Sequence, residues 1–378
     1  MSLFKIVFVF VLFAPVCLTL HQALKLDQLK TDLLSLLEVK EKPSVSRTRY
    51  QVPRYVIDLY RKQAFIDGFT KDGVAPGRTI RTFFRRPKDK RGPHKHLFTF
   101  NVTAIRKSEK VAHAELRIFK RRSRLKRCGY FEVTVSRLFR RWEKGSKKWK
   151  RKMEAIDSTL VKCRRVGEWM TFNVTTAVKY WAKYPSKNFG LWVSIRGHNA
   201  PPSDFHVATG GRKDPFLVEF GIDRAKLQKA KRVRVEEKST KKKGKSSKEV
   251  DRNPTVDKKS ADTSVHTRSR RSTSNLCKRH RLFVKFQDLT WDNWIIAPKG
   301  FSMYYCTGVC PEVIQKFFDP TNHAIIQNLL HHRYSKSVPA ACCVPTKLHS
   351  ITMLYFEKDG SIVLKEYGEM VASTCGCR

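Results

Sequence analysis

Five patterns of apolar and polar residues follow one another along this chain. Ile6 to Leu18 is a continuous apolar run broken only by Pro15 and preceded by one cation, Lys5. It is shorter than the roughly 20 residues that span a bilayer and has the shape of a secretory leader's apolar region. Residues 1–20 are therefore expected to be removed, with the cut somewhere around residues 17–23. "ALKLDQLKTDLLSLLEV" then repeats leucines at helical spacing, with Leu26, Leu29, Leu33, Leu36 and Leu37 on one face. "CGYFEVTVSRLF" and "STLVKCRRV" read as two antiparallel strands joined by a basic turn around Gly145. From Arg224 to Arg271 periodicity disappears and no aromatic residue occurs, as expected of a solvated linker. The last pattern is β-rich: "HRLFVKF", "FSMYYC", "SITMLYF" and "SIVLKEY" predict strands. Between them "TNHAIIQNLLHHRY" predicts one helix, with Thr321 as N-cap and Ile325, Ile326, Leu329 and Leu330 recurring along it.

Charge divides the chain at the same place. The 378 residues carry 77 Lys+Arg against 33 Asp+Glu, a net charge of +44. Residues 272–378 hold only 12 of those bases and 8 of those acids. The linker ends in "RSRR", so Arg268, Arg270 and Arg271, followed by Ser272, form the expected site of a furin-like convertase. An exposed, flexible basic stretch is what such a protease accepts. "RLKR" at Arg124–Arg127 also fits the pattern, but it adjoins a strand-like segment. The chain divides into a leader (1–20), an N-terminal region (21–223), the linker (224–271) and a C-terminal domain (272–378). A nucleic-acid binder would also be basic, yet the leader and the lack of a folded basic reading module argue against nucleic acid as a partner. Heparan sulfate or acidic extracellular matrix suits the excess better, although solubility accounts for any single lysine.

Of ten cysteines, Cys17 lies in the leader, and Cys128 and Cys163 are expected to pair at the open end of the strand hairpin. The other seven are Cys277, Cys306, Cys310, Cys342, Cys343, Cys375 and Cys377. In a secreted domain an odd number points to an intermolecular bridge or a free thiol. Cys342 and Cys343 are adjacent, and neighbouring Cα atoms about 3.8 Å apart do not suit a disulfide that wants roughly 5.5–6 Å. Cysteine arithmetic alone leaves many pairings open. A domain this small has little core, so covalent staples are expected. Four thiolates from Cys306, Cys310, Cys375 and Cys377 would suit zinc in number, but not in spacing or compartment. His323, His331 and His332 have no acid at metal-ligand spacing, and no nucleophile motif appears. No catalytic residue, cofactor or metal is expected, and the chain does not read as an enzyme.

"WDNWIIAPKGFSMYYCTGVCP", "PTNHAIIQ", "ACCVPTKL" and the terminal "CGCR" resemble the growth-factor domain of the transforming growth factor-β superfamily, in particular its bone morphogenetic protein branch. "PTNHA" and "IVLKEY" resemble the anti-dorsalising members of that branch. Upstream, "PRYVIDLYRK", "LFTFNVTAI", "AELRIFK", "WMTFNVTTAVKYW" and "PFLVEFG" are similar to the family's prodomain, in the same order. The resemblance implies a small disulfide-rich β domain with one helix, a cystine-knot cytokine. Before it would stand an α+β prodomain, with N-terminal amphipathic helices and then a β-rich arm domain. It implies the pairs Cys277–Cys343, Cys306–Cys375 and Cys310–Cys377, and leaves Cys342 to bridge two subunits. In that arrangement residues 306–310 and 375–377 close an eight-residue ring through which the first bond threads, with Gly308 and Gly376 keeping bulk out of it.

The implied function is that of a secreted dimeric morphogen that engages type I and type II serine/threonine kinase receptors and triggers Smad signalling. Homodimer and heterodimer both stay open. Trp291, Trp294 and Ile314 fall on the implied type I surface, shared with the helix of the other subunit. Glu312, Val313, Lys316 and Phe317 depart from the branch's Phe-Pro and Asp-His pattern, which leaves the receptor subtype open. Ala297, Pro298, Ser302, Thr352, Leu354 and Leu364 match the type II surface, an apolar set expected to be exposed. Further implied partners are the chain's own prodomain, whose leucine helix would cover the type I face, and extracellular antagonists. Asn101 and Asn173 open Asn-X-Thr glycosylation sequons, whereas Asn322 does not. The competing reading is a secreted cystine-knot antagonist or a glycosaminoglycan-binding matrix protein. Neither needs a convertase site ahead of a seven-cysteine module.

Overall fold

The computed structural model describes residues 51–74, 77–86, 96–123, 129–143, 148–162, 166–198, 201, 205–223, 275–334 and 337–378, with isolated positions at Gln28, Asp32, Leu34, Ala225 and Gln228. The leader, "RLKR", Cys128, Cys163, Arg268, Arg270, Arg271, Ser272 and the five face leucines of the N-terminal helix lie outside these residues.

Alternating burial builds the N-terminal domain. Ala114, Leu116 and Ile118 point inward from β3 (Glu109–Lys120), and Phe131, Val133 and Val135 do so from β4 (Tyr130–Glu143). This is the period-two pattern of strands with one buried face. Strand β4 lies between β5 (Lys148–Lys162) and β7 (Leu191–His198), and β2 (Leu97–Phe98) completes a four-stranded antiparallel sheet. Strands β1 (Arg78–Phe84), β8 (Phe216–Asp223), β3 and β6 (Glu168–Asn173) lie side by side in the second sheet. The inner faces share one apolar cluster that includes Phe131, Leu116, Phe172, Leu191 and Leu217. Trp181 of helix α2 (Thr175–Lys183) is fully buried in it. Helix α1 (Arg54–Gln63) buries Val56 and Tyr60 elsewhere, against the C-terminal domain. The hairpin expected around Gly145 is β4–β5, and its register runs from Tyr130 opposite Lys162 to Glu143 opposite Lys148.

The C-terminal domain is thinner. Its long hairpin of β14 (Cys343–Phe356) and β15 (Ile362–Cys377) carries most of the strand pairing, flanked by β11 (Ile295–Ala297). The run "HRLFVKF" is split between β9 (Lys278–His280) and β10 (Phe283–Lys285), and "FSMYYC" between β12 (Gly300–Ser302) and β13 (Tyr305–Thr307). Tyr304 at the second break has φ of 54°, outside the extended region, and it shares the carbonyl of Leu282 with Met303. Helix α3 (Asn322–Arg333) begins as expected, with the Ala324 N–H donating to Thr321 Oγ1 at 3.1 Å. Its buried side is not the apolar one. Ala324 and Asn328 are buried, while Ile325, Ile326, Leu329 and Leu330 are exposed. Asn328 is satisfied by the carbonyls of Pro311 and Glu312 and by the N–H of Ala341.

One sheet joins the two domains. Seven strands run in the order β11-β14-β15-β1-β8-β3-β6, and β1 is hydrogen-bonded antiparallel to β15 on one side and to β8 on the other.

Candidate functional site: two covered faces and a free cysteine

The hairpin register sets Cys343 opposite Cys377 and Pro345 opposite Cys375, which gathers the cysteine-bearing ends of β14 and β15. Disulfides join Cys277 to Cys343, Cys306 to Cys375 and Cys310 to Cys377, with Cα separations of 5.4, 5.6 and 5.9 Å. The sulfurs of Cys277, Cys310 and Cys377 lie within 4.8 Å of one another, as expected where one bond passes beside another. All three are disulfide-bonded, so this trio offers no thiolate to a metal. A Cβ on Gly308, whose φ is 123°, would fall 2.4 Å from the carbonyl oxygen of Leu276, next to the threading cysteine. A Cβ on Gly376 would instead meet the carbonyl of Phe318 at 2.3 Å, so that glycine makes room for the chain before α3. Cys342 is exposed and unpaired. Its backbone is fixed by reciprocal hydrogen bonds with Arg378 of 2.8 and 2.9 Å, which holds the thiol at the surface.

The expected exposed set on the β14–β15 side is not exposed in the full chain. Thr352, Leu354 and Leu364 are buried, Pro298 is buried, and Ala297 and Ser302 are half-buried. The cause is the N-terminal domain. Strand β1 places Ile80 opposite Leu364, and Val56 and Tyr60 of α1 join Leu354 and Leu364 in one apolar cluster. The Thr352 N–H donates to the Gly68 carbonyl at 2.8 Å, and the hydroxyls of Thr70 and Thr352 lie 2.8 Å apart. Gly68 has φ of 85°, and a Cβ there would sit 2.6 Å from Pro298 Cγ. Only glycine allows so close an approach.

The tryptophan side is closed as well. Trp291 packs between Phe286 and Trp294, with ring centroids 6.3 and 5.7 Å away, and Trp294 meets Tyr355 edge-on at 5.6 Å. Both tryptophans are buried, and Leu34 of the N-terminal segment belongs to their cluster. Gln28 and Asp32, hydrogen-bonded at 3.0 Å, are exposed helical residues of that segment. Leu34 lies outside the leucine face read from periodicity. Ile314 is buried in a different cluster, with Phe318, Ala324 and the knot cysteines.

Sequence reasoning missed a buried ionic group between the domains. The Arg81 guanidinium on β1 is ion-paired to Glu109 on β3, and lies 3.8 Å from Glu219 on β8 and 3.9 Å from Glu357. Glu357 sits at the tip of the β14–β15 hairpin, so the group spans both domains. Burial pushes the Glu219 carboxyl up to about 8, against the pull of Arg81, with Glu109 adding to the rise. Glu357 is raised for the same first reason. In "RTIRTFF" nothing marks Arg81 as buried, because strand alternation does not reveal a neighbour supplied by another domain.

Asn173 ends β6 and is exposed, and Asn101 is half-buried; each side-chain oxygen accepts from the threonine hydroxyl of its own sequon, at 2.6 and 2.8 Å.

Two family models divide the chain in the same way. The family model "Transforming growth factor beta like domain" matches residues 276–377, and the model "TGF-beta propeptide" matches residues 18–220. The chain belongs to the transforming growth factor β family. It is 36% identical to the Protein DVR-1 homolog of Strongylocentrotus purpuratus over 298 residues, covering 75% of this chain and 61% of that protein. It is 28% identical to Bone morphogenetic protein 4 of Gallus gallus, covering 92% and 86%, and 32% identical to Protein decapentaplegic of Drosophila melanogaster, covering 93% and 62%. The chain is a proprotein of the bone morphogenetic protein branch, with a prodomain and a disulfide-rich growth-factor domain, and it is not an enzyme.

Proposed function

We propose that this chain is the precursor of a secreted, dimeric morphogen, released from its prodomain by convertase cleavage after Arg271. The single observation that carries the reading is the pair of covered faces. The growth-factor domain keeps two apolar surfaces, around Trp291–Trp294 and around Leu354–Leu364, that prodomain residues bury. Surfaces of this kind, once uncovered, bind other proteins. In this reading the Trp291–Trp294 face, with Ile314, takes a type I receptor together with α3 of a second subunit. The face of Ala297, Pro298, Ser302, Thr352, Leu354 and Leu364 takes a type II receptor, and Smad signalling follows. Cys342 bridges the subunits, because the knot uses the other six cysteines and two-fold symmetry brings identical residues together. The exposed Ile325, Ile326, Leu329 and Leu330 of α3 are the surface such a subunit would cover. Glycosylation at Asn101 and Asn173, a Cys128–Cys163 bond, extracellular antagonists and heparan sulfate complete the picture of an extracellular ligand.

The test is to express the full chain and an Arg271→Ala variant in secreting cells. The parent should release a Ser272-starting fragment that runs at about twice its reduced mass on a non-reducing gel. That fragment should bind both receptor ectodomains and drive Smad phosphorylation. The uncut variant should be secreted but bind the type II ectodomain at least tenfold more weakly. Equal receptor binding by the separated Ser272-starting fragment and the uncut chain overturns the reading.

A further inference from the structure

Beyond Leu138, strand β4 leaves the four-stranded sheet. Its last partner on β7 is Leu191, opposite Arg137, and the Leu138 N–H still donates to the Gly190 carbonyl at 3.1 Å, so residues 139–143 pair only with β5. Strand β5 is itself the sheet edge. The result is a two-stranded ribbon about 17 Å long, with no further strand on either edge among the described residues. An isolated ribbon is marginal in water, and this one is further weakened by its own charges. Arg140 stands directly opposite Arg151, and Arg141 directly opposite Lys150. Like charges at opposed positions destabilise a strand pair. Because successive residues point to opposite faces, one pair marks each face, and Lys152 adds to the face of Lys150.

Compensation is sparse. Among the described residues the carboxylates of this stretch are Glu143, ion-paired to Lys150, and Glu154, ion-paired to Arg137. Arg140 lies 5.1 Å from the ring of Phe189. Arg141, Arg151 and Lys152 have no acidic partner among the described residues, and all three are exposed. The covered faces of the growth-factor domain involve none of them.

Lysines on an edge strand commonly prevent strand-to-strand aggregation. That role accounts for charge on either edge, but it does not need cations set directly opposite one another across the pair, as Arg140 and Arg151 are. We propose that this ribbon is a binding site for a linear sulfated polysaccharide, with Arg140, Arg141, Lys150, Arg151 and Lys152 as its cations. A flexible chain of sulfates can run along a narrow ribbon and neutralise both faces, which offsets the cross-strand repulsion. It would tether the prodomain to extracellular matrix. This site rests on the reading of the chain as a secreted precursor, but its test uses no receptor.

The test uses the full-length Arg271→Ala chain and a size-defined heparin oligosaccharide. The basic linker would attract the same polyanionic probe, so two variants of equal charge are compared. The ribbon variant carries Arg140→Gln, Lys150→Gln, Arg151→Gln and Lys152→Gln; the linker variant carries Lys241→Gln, Lys242→Gln, Lys243→Gln and Lys245→Gln. The ribbon variant should lose about tenfold or more in affinity at physiological salt, with a shallower salt dependence. It should also melt no lower than the parent, because repulsion has been removed. Losses of equal size in the two variants, or none in the ribbon variant, overturn the proposal. Should the ribbon variant misfold, Arg140→Lys with Arg151→Lys must fold and keep most of the affinity, and loss there overturns it too. Aggregation of the ribbon variant with unchanged affinity assigns the charges to edge protection. A loss confined to phosphatidylserine vesicles or duplex DNA, with heparin binding intact, overturns the polysaccharide assignment.

Discussion

The two domains of this precursor share one sheet but are held by different means. The prodomain has a continuous aromatic and aliphatic core between two sheets, with Trp181, Phe131 and Phe172 fully buried. The growth-factor domain has clusters that are either knotted by disulfides or completed by its neighbour, since Leu34, Val56, Tyr60 and Ile80 supply apolar area it lacks. A domain whose integrity is covalent can leave apolar surface unfilled. That surface is then available for partners, one after another. A domain held by its core has no such freedom, because packing and fold are the same thing.

The strongest way to break this comparison is to remove one staple. Cys310→Ser opens a bridge between residues 67 apart in sequence, which costs about 4 kcal/mol in the chain-entropy model. Limited proteolysis of the full chain should then digest residues 275–378 while a prodomain core survives. Simultaneous loss of both domains would show that they fold as one unit. Next in size is Arg81→Ala, which leaves Glu109 buried without its cation and should cost about 3–5 kcal/mol. Hydrogen exchange should show it loosening β1 against both β8 and β15, with the knot strands β9 and β13 unchanged. The smallest effect is on pH. The raised carboxyls of Glu219 and Glu357 mean that the folded precursor holds protons more tightly than the unfolded chain does. Their contribution is complete below the ordinary carboxylate value and is lost as pH rises through about 8 for Glu219. The melting temperature of the precursor should therefore fall between pH 6 and pH 9. Glu219→Gln should flatten that slope, and an unchanged slope would remove Glu219 from the account.

How much of this was legible in the sequence depended on whether the signal was local. Thr321 and the spacing of Ile325 to Leu330 are local, and the helix starts where they say. Which side of it is buried is not local: Asn328 is buried because it serves three backbone groups of neighbouring segments. Runs of aromatic and β-branched residues revealed β4, β14 and β15 for the same reason. They did not reveal that β1 would lie between β8 and β15, since that pairing brings together residues 79 and 365. The apolar set at Thr352, Leu354 and Leu364 was expected to be exposed, and it is buried because residues nearly 300 positions away cover it. Arg81 was invisible for the same reason: its partners Glu109, Glu219 and Glu357 are far apart in sequence and meet only in the folded sheet.

The shared sheet changes what a cut in the linker can accomplish. The β1–β15 ladder is made by residues 79–82 and 362–365, so breaking the chain between residues 224 and 271 removes none of its rungs. What changes is the order of the reaction. Before the cut, redocking of β1 is intramolecular, with an effective concentration set by the tether; afterwards it depends on how much prodomain is nearby. Dilution then becomes the step that uncovers the growth factor. Close to a secreting cell the two pieces would stay together, and farther away they would part, so distance from the source would be read as a degree of activation.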